Sequence, residues 1–243
     1  MKSKYLIVSP HPDDACFSLG GSILRFRSHH IMIWDVFTNK KFNVLNINDL
    51  NAQKLILKEE YEAIRCMHVN CVLGDLKDAQ LRGYKRLSEI VGVPVDVGCL
   101  IKKEQNVYRE IKEKFKEILN EWRPNVIGIP MGVGYHIDHI LSREAVLEIQ
   151  KRHDFKIFFY EDLPYAHNEK WLKDALEHLQ RRMKIKEFKI QVDTYFKEKE
   201  ALLRIYKSQI KDRDIRLIKQ YMMSFDEPCA YERVWIPDKE LEG

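Results

Sequence analysis

The sequence lacks the features that mark several common classes of protein. No apolar run reaches the length of a membrane span, and the apolar stretch before His11 is too short for the core of a signal peptide. The five cysteines are widely spread and nowhere form a CxxC pair, so a structural zinc site of that type is excluded. We therefore expect a cytoplasmic protein without a membrane span.

A strong excess of one charge is also missing. The 243 residues contain 41 Lys and Arg and 37 Asp and Glu, a formal net charge of +4, with the two signs interspersed. This balance does not favour nucleic-acid binding. The GxGxxG dinucleotide motif is absent as well, and the turn before Gly20 and Gly21 carries acids that would repel a pyrophosphate. The expected partner is a small or medium soluble molecule.

The sequence does contain alternating apolar strands and amphipathic helices. Strands are predicted at 5–8, 31–38, 70–75, 125–132, 156–162 and 232–237, and helices at 18–27, 53–67, 107–122, 140–152, 193–210 and 213–225. The stretch 84–106 reads as irregular. Such alternation predicts an α/β, Rossmann-like fold with a mostly parallel, twisted sheet flanked by helices. We expect one domain over 1–243, with a helical C-terminal part at about 193–225, although a two-domain division is an alternative.

The stretch SPHPDDACFSLGG places His11, Asp13 and Asp14 directly after the first predicted strand. Ligands of open α/β sheets bind beyond the carboxyl ends of the strands. Pro12 disfavours helical geometry at His11, so the turn can direct the three polar side chains differently. The two neighbouring carboxylates repel each other, and a bound cation would remove that conflict. The plainer alternative is a helix N-cap, in which one of the two acids accepts a backbone N–H.

A second polar cluster, GVGYHIDHILSRE, places His136, Asp138 and His139 after another apolar strand. The two histidines are three residues apart and would share one face of a helix. An imidazole from each cluster plus one carboxylate gives three ligands and an open fourth position, the pattern of catalytic zinc. A remaining carboxylate could then act as general base, and a remaining imidazole, oriented by Asp138, could stabilise an oxyanion or donate a proton.

These motifs resemble those of the PIG-L/LmbE-like N-deacetylases, zinc-dependent hydrolases of N-acetylglucosaminyl compounds and related amides. PHPDDACFSLGG matches the (A/P)HPDD motif and its following glycine pair, HIDH matches the HxDH motif, and the resemblance covers most of the chain. It implies that zinc is bound by His11, Asp14 and His139. Ala15 stands where relatives often have glutamate, a departure that removes no ligand or base.

The resemblance also implies roles for the other polar residues of the two motifs. Asp13 would be the general base, His136 would stabilise the oxyanion and could act as an acid, and Asp138 would support His136. DLKDAQLRG looks like a family loop near the substrate, which makes Asp78 and Arg82 candidates for binding sugar hydroxyls. FYEDLPYA and YKSQ, at 159–166 and 206–209, are similar to segments of some sugar deacetylases, without an assigned role.

The function expected from these observations is hydrolytic removal of an acetyl group from an N-acetylglucosaminyl-type sugar or related N-acetylated small molecule. Zn²⁺ is the expected metal, with Fe²⁺ or another divalent ion as an alternative. Two histidines and a carboxylate also form the facial triad of non-haem iron(II) oxygenases. A non-catalytic α/β metal-binding module is a third hypothesis. The identity of the substrate and the oligomeric state, including a homo-oligomer, stay open.

Overall fold

A seven-stranded sheet flanked by eight helices forms the part of the chain, residues 3–45, 47–225 and 228–240, that a computed structural model describes. The strands are β1 (Lys4–Ser9), β2 (His30–Asp35), β3 (Asn70–Leu73), β4 (Val126–Pro130), β5 (Lys156–Tyr160), β6 (Ile185–Gln191) and β7 (Tyr231–Pro237). The helices are α1 (Asp14–Arg25), α2 (Asp49–Met67), α3 (Val97–Lys103), α4 (Gln105–Trp122), α5 (Ile137–Gln150), α6 (Glu169–Gln180), α7 (Phe196–Leu203) and α8 (Asp212–Met223).

The strands lie in the order β3-β2-β1-β4-β5-β7-β6. The first five of these are mutually parallel, whereas β7 runs antiparallel to both of its neighbours, β5 and β6. The predicted α/β fold with a mostly parallel sheet is therefore confirmed. The chain proceeds from β1 to β2 and β3 on one side and later resumes with β4 on the other side. The carboxyl ends of β1 and β4 thus border the switch point at which ligands of such sheets bind.

The two central strands form because their side chains are apolar on both faces. Leu6 and Val8 of β1 and Ile127 and Ile129 of β4 are fully buried on one face, and Ile7 is buried on the other face, as expected for strands covered by helices on both sides. The loops that follow these strands contain the two polar motifs. Burial of the sheet centre therefore holds the two motifs next to each other.

Several elements differ from the sequence-based expectation. Helix α3 lies within the stretch read as irregular, where the Asp96 side chain accepts a hydrogen bond from Cys99 N–H at the helix start. Helix α6 and strand β6 were missed, and β6 escaped because most of its side chains are exposed at the sheet edge. The helix expected at 193–210 is shorter, because α7 ends at Leu203 and turns follow.

The C-terminal elements are joined to helix α1 by a buried ion pair. Lys199 Nζ of α7 lies 2.6 Å from Glu232 Oε1 of β7, and neither side chain reaches solvent. The Glu232 carboxylate also accepts hydrogen bonds from the backbone N–H groups of Gly21 and Ser22. These contacts fix the helix that begins at Asp14. The assignment of 1–243 to one domain stays a prediction. Within the described ranges, no helix combines the length and apolarity needed to cross a membrane.

Asp35, the last residue of β2, is a buried acid without full hydrogen bonding. Its Oδ2 accepts a hydrogen bond from the Cys71 thiol at 3.2 Å, while Oδ1 has no partner among the described residues. Burial raises the pKa of Asp35 to about 7, although the hydrogen bond from Cys71 opposes the shift. At a pH between the two pKa values, such an acid is protonated in the folded protein and ionised in the unfolded chain.

Asp35→Asn is therefore expected to stabilise the protein at neutral and higher pH. Between the unfolded pKa of about 4 and the folded pKa of about 7, the free energy of unfolding of the wild type should fall as pH rises. Asparagine does not titrate, so the variant lacks this loss. Its free energy of unfolding should exceed that of the wild type by about 1 to 3 kcal/mol at pH 8 and by little at pH 4. Urea unfolding at both pH values measures the difference. A variant that is no more stable than the wild type at pH 8 would contradict the destabilising effect assigned to Asp35.

Candidate functional site

A cavity of about 370 Å³ opens beyond the carboxyl ends of β1 and β4. Five of the six predicted metal-binding and catalytic residues line it, namely His11, Asp13, Asp14, His136 and Asp138. The sixth, His139, is only 1% exposed and contacts Asp14 from behind the cavity wall. The structure thus brings the two sequence motifs together at one site.

The turn after β1 gives the two adjacent acids different directions. Asp14 Oδ2 accepts the backbone N–H of His11 at 2.8 Å. Asp13 has φ 115°, a conformation that is uncommon for a non-glycine residue and is often found at functional sites. Although Asp13 directly precedes α1, its side chain makes no capping hydrogen bond. The N-cap alternative therefore does not explain the Asp13 carboxylate, which points to another partner.

The second motif begins one residue before helix α5. Gly132 and Gly134 both have φ near 80°, so the chain turns sharply after β4. Helix α5 starts at Ile137, which is earlier than predicted, and His136 occupies the N-cap position instead of the helix face. The His136 Nδ1 atom accepts the backbone N–H of Asp138 at 3.3 Å. This contact favours the tautomer with the proton on Nε2.

Carboxylates orient two of the three imidazoles. His11 Nε2 lies 3.0 Å from Asp138 Oδ2, and His139 Nδ1 lies 2.5 Å from Asp162 Oδ1. With these nitrogens protonated, His11 Nδ1 and His139 Nε2 keep their lone pairs. Each of those two atoms lies 3.2 Å from Asp14 Oδ2. Imidazoles held by a carboxylate through the second ring nitrogen are typical of metal ligands in proteins.

These donor atoms fit a divalent metal ion. Two atoms bound to one zinc ion lie ~3.4 Å apart, because bonds of about 2.0 to 2.1 Å point to the corners of a tetrahedron. The 3.2 Å separations around Asp14 Oδ2 are close to this value. His136 could also supply a ligand atom to the metal, since a nitrogen of each of the three imidazoles lies within 4.8 Å of the other two. The hydrogen bond that its Nδ1 accepts from Asp138 favours a different role, because the ring proton is then on Nε2 and can be donated in a hydrogen bond to substrate.

The charges around the site also favour a cation. Burial lowers the pKa of His139, but the carboxylates of Asp14 and Asp162 outweigh this and raise it to about 10. Burial and the neighbouring histidines hold the pKa of His136 well below its usual value, so that imidazole is neutral. The negative potential that stabilises a proton on His139 would equally stabilise a metal ion in its place.

Sequence reasoning missed Lys40, which contacts Asp13. Lys40 Nζ lies 3.2 Å from Asp13 Oδ2, with the two side chains 9% and 7% exposed. Burial raises the pKa of Asp13 to about 6 even though the Lys40 ammonium lowers it. This value suits a general base that works near neutral pH. The feature of the sequence that could have identified Lys40 is its position in the loop after β2, because that loop lies at the same edge of the sheet as His11.

Asp138 differs from the interpretation of the sequence, which paired it with His136. Its fully buried carboxylate contacts His11 Nε2 and accepts a hydrogen bond from Arg82 at 2.7 Å. Arg82 also donates to Glu104 at 3.0 Å. The contact of Asp138 with His136 is made by its backbone N–H instead, which donates to His136 Nδ1 at the start of α5. The loop residue Arg82 thereby supports His11 through Asp138.

Asp78 lies on the cavity wall, as a sugar-binding residue would, but both of its carboxylate oxygens already accept backbone hydrogen bonds. Oδ1 binds Leu81 N–H at 3.0 Å, and Oδ2 binds Lys41 N–H at 3.3 Å. Arg82 donates to other protein groups, as described above. A direct role of Asp78 and Arg82 in sugar binding stays a prediction.

Asp162 was also missed, although the sequence analysis noted the segment that contains it. Besides holding His139, its carboxylate accepts the backbone N–H groups of Gly132 and Val133 at 2.7 and 2.8 Å. It therefore joins the end of β5 to the loop after β4. Two signals in the sequence could have found it, namely its place at the end of a predicted strand and the resemblance of the segment 159–166 to parts of some sugar deacetylases.

Comparison with known families agrees with this geometry. The family model described as PIG-L: GlcNAc-PI de-N-acetylase matches residues 6–150. The chain belongs to the PIG-L family. The matched region runs from β1 to the end of α5 and contains both motifs. Asp162 and the C-terminal elements lie outside the PIG-L match.

Known deacetylases are among the proteins that this PIG-L member resembles. The 2'-N-acetylparomamine deacetylase of Streptomyces fradiae is 28% identical over 172 residues, which cover 68% of this chain and 58% of that protein. The chain thus matches less than two thirds of this relative's length. The zinc inhibited form of teicoplanin deacetylase Orf2 has a TM-score of 0.73 at 16% identity, with 97% of both chains covered.

A third similar protein is the N,N'-diacetylchitobiose deacetylase of Pyrococcus horikoshii. Its TM-score is 0.64 at 16% identity, with 97% of this chain and 84% of that chain covered. At such low identity, the likeness to the two solved structures shows the fold alone. It agrees with the PIG-L assignment.

Proposed function

We propose that the protein is a metal-dependent N-deacetylase of an N-acetylated sugar or glycoconjugate. One observation carries the proposal. Asp14 lies between two imidazoles that carboxylates orient, while Asp13 and the neutral His136 line the same cavity. The similarity to deacetylases of paromamine, teicoplanin and chitobiose compounds supports this reaction class.

The proposed metal is Zn²⁺, held by His11 Nδ1, Asp14 Oδ2 and His139 Nε2. When bound there, such an ion would polarise the acetyl carbonyl and would lower the pKa of water from 15.7 towards about 7. Asp138 and Asp162 keep the two imidazoles in the ligating tautomer. Fe²⁺ or another divalent ion also suits nitrogen and oxygen donors, so the identity of the metal is part of the proposal.

The remaining residues move protons and stabilise charge. Asp13 accepts a proton as water adds to the acetyl carbonyl carbon, and Lys40 holds Asp13 Oδ2 during this step. His136 Nε2–H donates a hydrogen bond to the carbonyl oxygen as negative charge develops there. Loss of a comparable donor typically lowers kcat by about 100- to 1,000-fold. The proton then passes to the amide nitrogen, the C–N bond breaks, and acetate and a free amine are released.

The two alternative functions explain fewer of the observed contacts. An iron(II) oxygenase would use the two imidazoles and Asp14 but would leave the Asp13–Lys40 pair without a task. A binding module would need neither a base nor a neutral imidazole on the cavity wall. The deacetylase proposal uses all of these groups.

The proposed partner is a small N-acetylated sugar or glycoconjugate. A cavity of about 370 Å³ is within the usual size range for small-molecule sites. A cytoplasmic location and a homo-oligomeric state stay predictions.

A panel of N-acetylated sugars tests the proposed reaction. We expect release of free amine from at least one of N-acetylglucosamine, diacetylchitobiose, an N-acetylated aminoglycoside or an N-acetylglucosaminyl glycoside. Chelation should abolish the release, and Zn²⁺ should restore it. Release that survives complete metal removal would contradict metal dependence, and a metal-loaded protein inactive on the whole panel would contradict sugar deacetylation.

Asp162→Asn is expected to weaken metal binding by about 10- to 100-fold, because His139 loses the carboxylate that holds its Nδ1 proton. Competition with a chromophoric chelator measures the affinity. Asp174→Asn is the matched control, since Asp174 also accepts a side-chain hydrogen bond, from Tyr135 at 2.7 Å, but contacts none of the proposed ligands. Unchanged affinity in Asp162→Asn would contradict the role given to this residue.

A further inference from the structure

Three side chains of the kinds that bind metal ions meet at a second place, outside the active-site cavity. They are Asp35 at the end of β2, Glu60 of α2 and Cys71 of β3, and their ligand atoms all lie within 4.8 Å of one another. Cys71 pairs with Ile33 in the parallel ladder, so Cys71 and Asp35 share one face of the sheet. Among the residues that the structure describes, this is the only such group besides the three histidines of the active site.

The surroundings of this group are apolar. Asp35 and Glu60 are buried, and so is Ile33, which precedes Asp35 by two residues on the same face of the sheet. Ile56 and Ala63 lie on the same face of α2 as Glu60 and are also fully buried. Burial of a carboxyl group in such a place is costly unless its oxygens are hydrogen-bonded or bind a cation. Two acids in this layer therefore need partners.

The hydrogen bonds at these acids leave one buried oxygen without a partner. Glu60 Oε2 accepts the Tyr206 hydroxyl at 2.8 Å, and Asp35 Oδ2 accepts the Cys71 thiol at 3.2 Å. Asp35 Oδ1 has no partner within the described ranges, although the residue is fully buried. A buried acceptor without a partner is rare in folded proteins and indicates a missing water or ion.

The charges around the group favour a cation. Burial and the charge of Asp35 raise the pKa of Glu60 well above its usual value, against the hydrogen bond from Tyr206. Burial raises the pKa of the Cys71 thiol, and the two acids raise it further. The Lys40 ammonium, which lowers the pKa of Glu60, is itself paired with Asp13. A divalent ion would replace the protons that these groups otherwise hold and would release them to solvent.

We propose that Asp35, Glu60 and Cys71 bind a second divalent metal ion, of which Zn²⁺ is the best match to two carboxylates and a thiolate. A zinc–sulfur bond of about 2.3 Å and a zinc–oxygen bond of about 2.0 to 2.2 Å, at a tetrahedral angle, place the two donor atoms ~3.6 Å apart. The distance of 3.2 Å from Cys71 Sγ to Asp35 Oδ2 is close to this value.

The second site would join three elements of the fold, namely β2, β3 and α2. Cys71 is only partly buried, which gives an ion a route from solvent, and three protein ligands leave a fourth position for water. The site contains none of the residues proposed to bind the active-site metal. It therefore does not depend on the proposed deacetylase function.

Cobalt binding to the full-length protein, freed of metal beforehand, tests the second site. A thiolate bound to Co²⁺ gives a charge-transfer absorption band in the near ultraviolet, which imidazole and carboxylate ligands do not give. We expect this band in the wild type and its loss in Cys71→Ser. In Asp35→Asn, the affinity of the ion that produces the band should fall by more than about 10-fold, because a direct ligand is changed. Cys66→Ser is the matched control, since Cys66 is an exposed cysteine of α2 outside the group.

Urea unfolding with and without Zn²⁺ is a second measurement, which leaves the cysteine in place. Without metal at pH 8, Asp35→Asn is expected to be the more stable protein, as described above. Saturating Zn²⁺ should raise the urea midpoint of the wild type by more than that of Asp35→Asn, because the active-site ion stabilises both proteins alike. This comparison decides the matter if Cys71→Ser does not fold.

The outcomes separate the second site from the proposed function. Cobalt binding without the band, a band that survives Cys71→Ser, or equal shifts of the urea midpoint in wild type and Asp35→Asn would overturn the second site and leave the deacetylase proposal intact. A folded His11→Ala variant should keep the band, and its loss there would place the thiolate at the active site instead. If the band behaves as expected but no N-acetylated sugar reacts, the second site stands and the proposed function fails.

Discussion

Asp13→Asn is expected to retain the metal and to lower kcat by about 100- to 10,000-fold. The asparagine keeps the size of the side chain and can occupy the same place beside Lys40, but its amide cannot accept a proton from water. Metal content per chain and steady-state release of amine are the two measurements.

The control for this variant is Asp75→Asn. Asp75 is a second aspartate with positive φ, 63°, and its carboxylate lies outside the cavity, where it accepts a hydrogen bond from Asn39. The control should keep its kcat, which separates the loss of a base from the effect of asparagine in this backbone conformation. Near-normal turnover by Asp13→Asn with the metal in place would rule out Asp13 as the general base.

His11→Ala is expected to lose the metal and, with it, turnover. A carboxylate that only orients a ligand contributes about 10- to 100-fold to the affinity for the metal. Removal of a direct ligand should therefore lower this affinity by more. The substitution also leaves the buried carboxylate of Asp138 without its imidazole partner, and Asp14 keeps only the contact with His139 of its two imidazole contacts. Metal analysis after gel filtration, together with amine release at saturating Zn²⁺, measures both effects.

His30→Ala is a suitable control, because His30 is exposed at the start of β2, the end of that strand opposite to the site. Metal content and turnover of this variant should equal those of the wild type. Full metal content in His11→Ala would show that the ion is bound elsewhere or by other residues, and the proposed ligand set would have to be abandoned.

The sequence predicted the centre of the fold better than its edges. Strands β1 and β4 are continuous apolar runs because both faces are covered, so their pattern is clear from the sequence alone. Strand β6 has mostly exposed residues and shows no such run. Helix α7 ends earlier than its pattern suggests, because Tyr206 and Ser208 are buried through contacts with Glu60 and Glu59 in turns and not along a helix face.

The candidate site shows the same limit on prediction. That the two motifs meet could be predicted because parallel strands deliver their loops to one edge of the sheet, whereas the choice of His11, Asp14 and His139 as ligands came from the resemblance to the PIG-L/LmbE-like family. Which side chains meet within that edge depends on distances that the sequence does not contain. Asp138 was therefore assigned to the neighbouring His136 instead of the distant His11, and Lys40 and Asp162 looked like any other polar loop residues.

Isotope labelling without oxygen is the most direct test of the central claim that the site hydrolyses an N-acetyl group. The zinc-loaded protein would be incubated under argon, in water enriched in oxygen-18, with a sugar that it turns over. Metal-dependent hydrolysis should give acetate and free amine in equal amounts, one labelled oxygen in each acetate, and no product after chelation. Acetate without label, unequal products or a requirement for oxygen would contradict it.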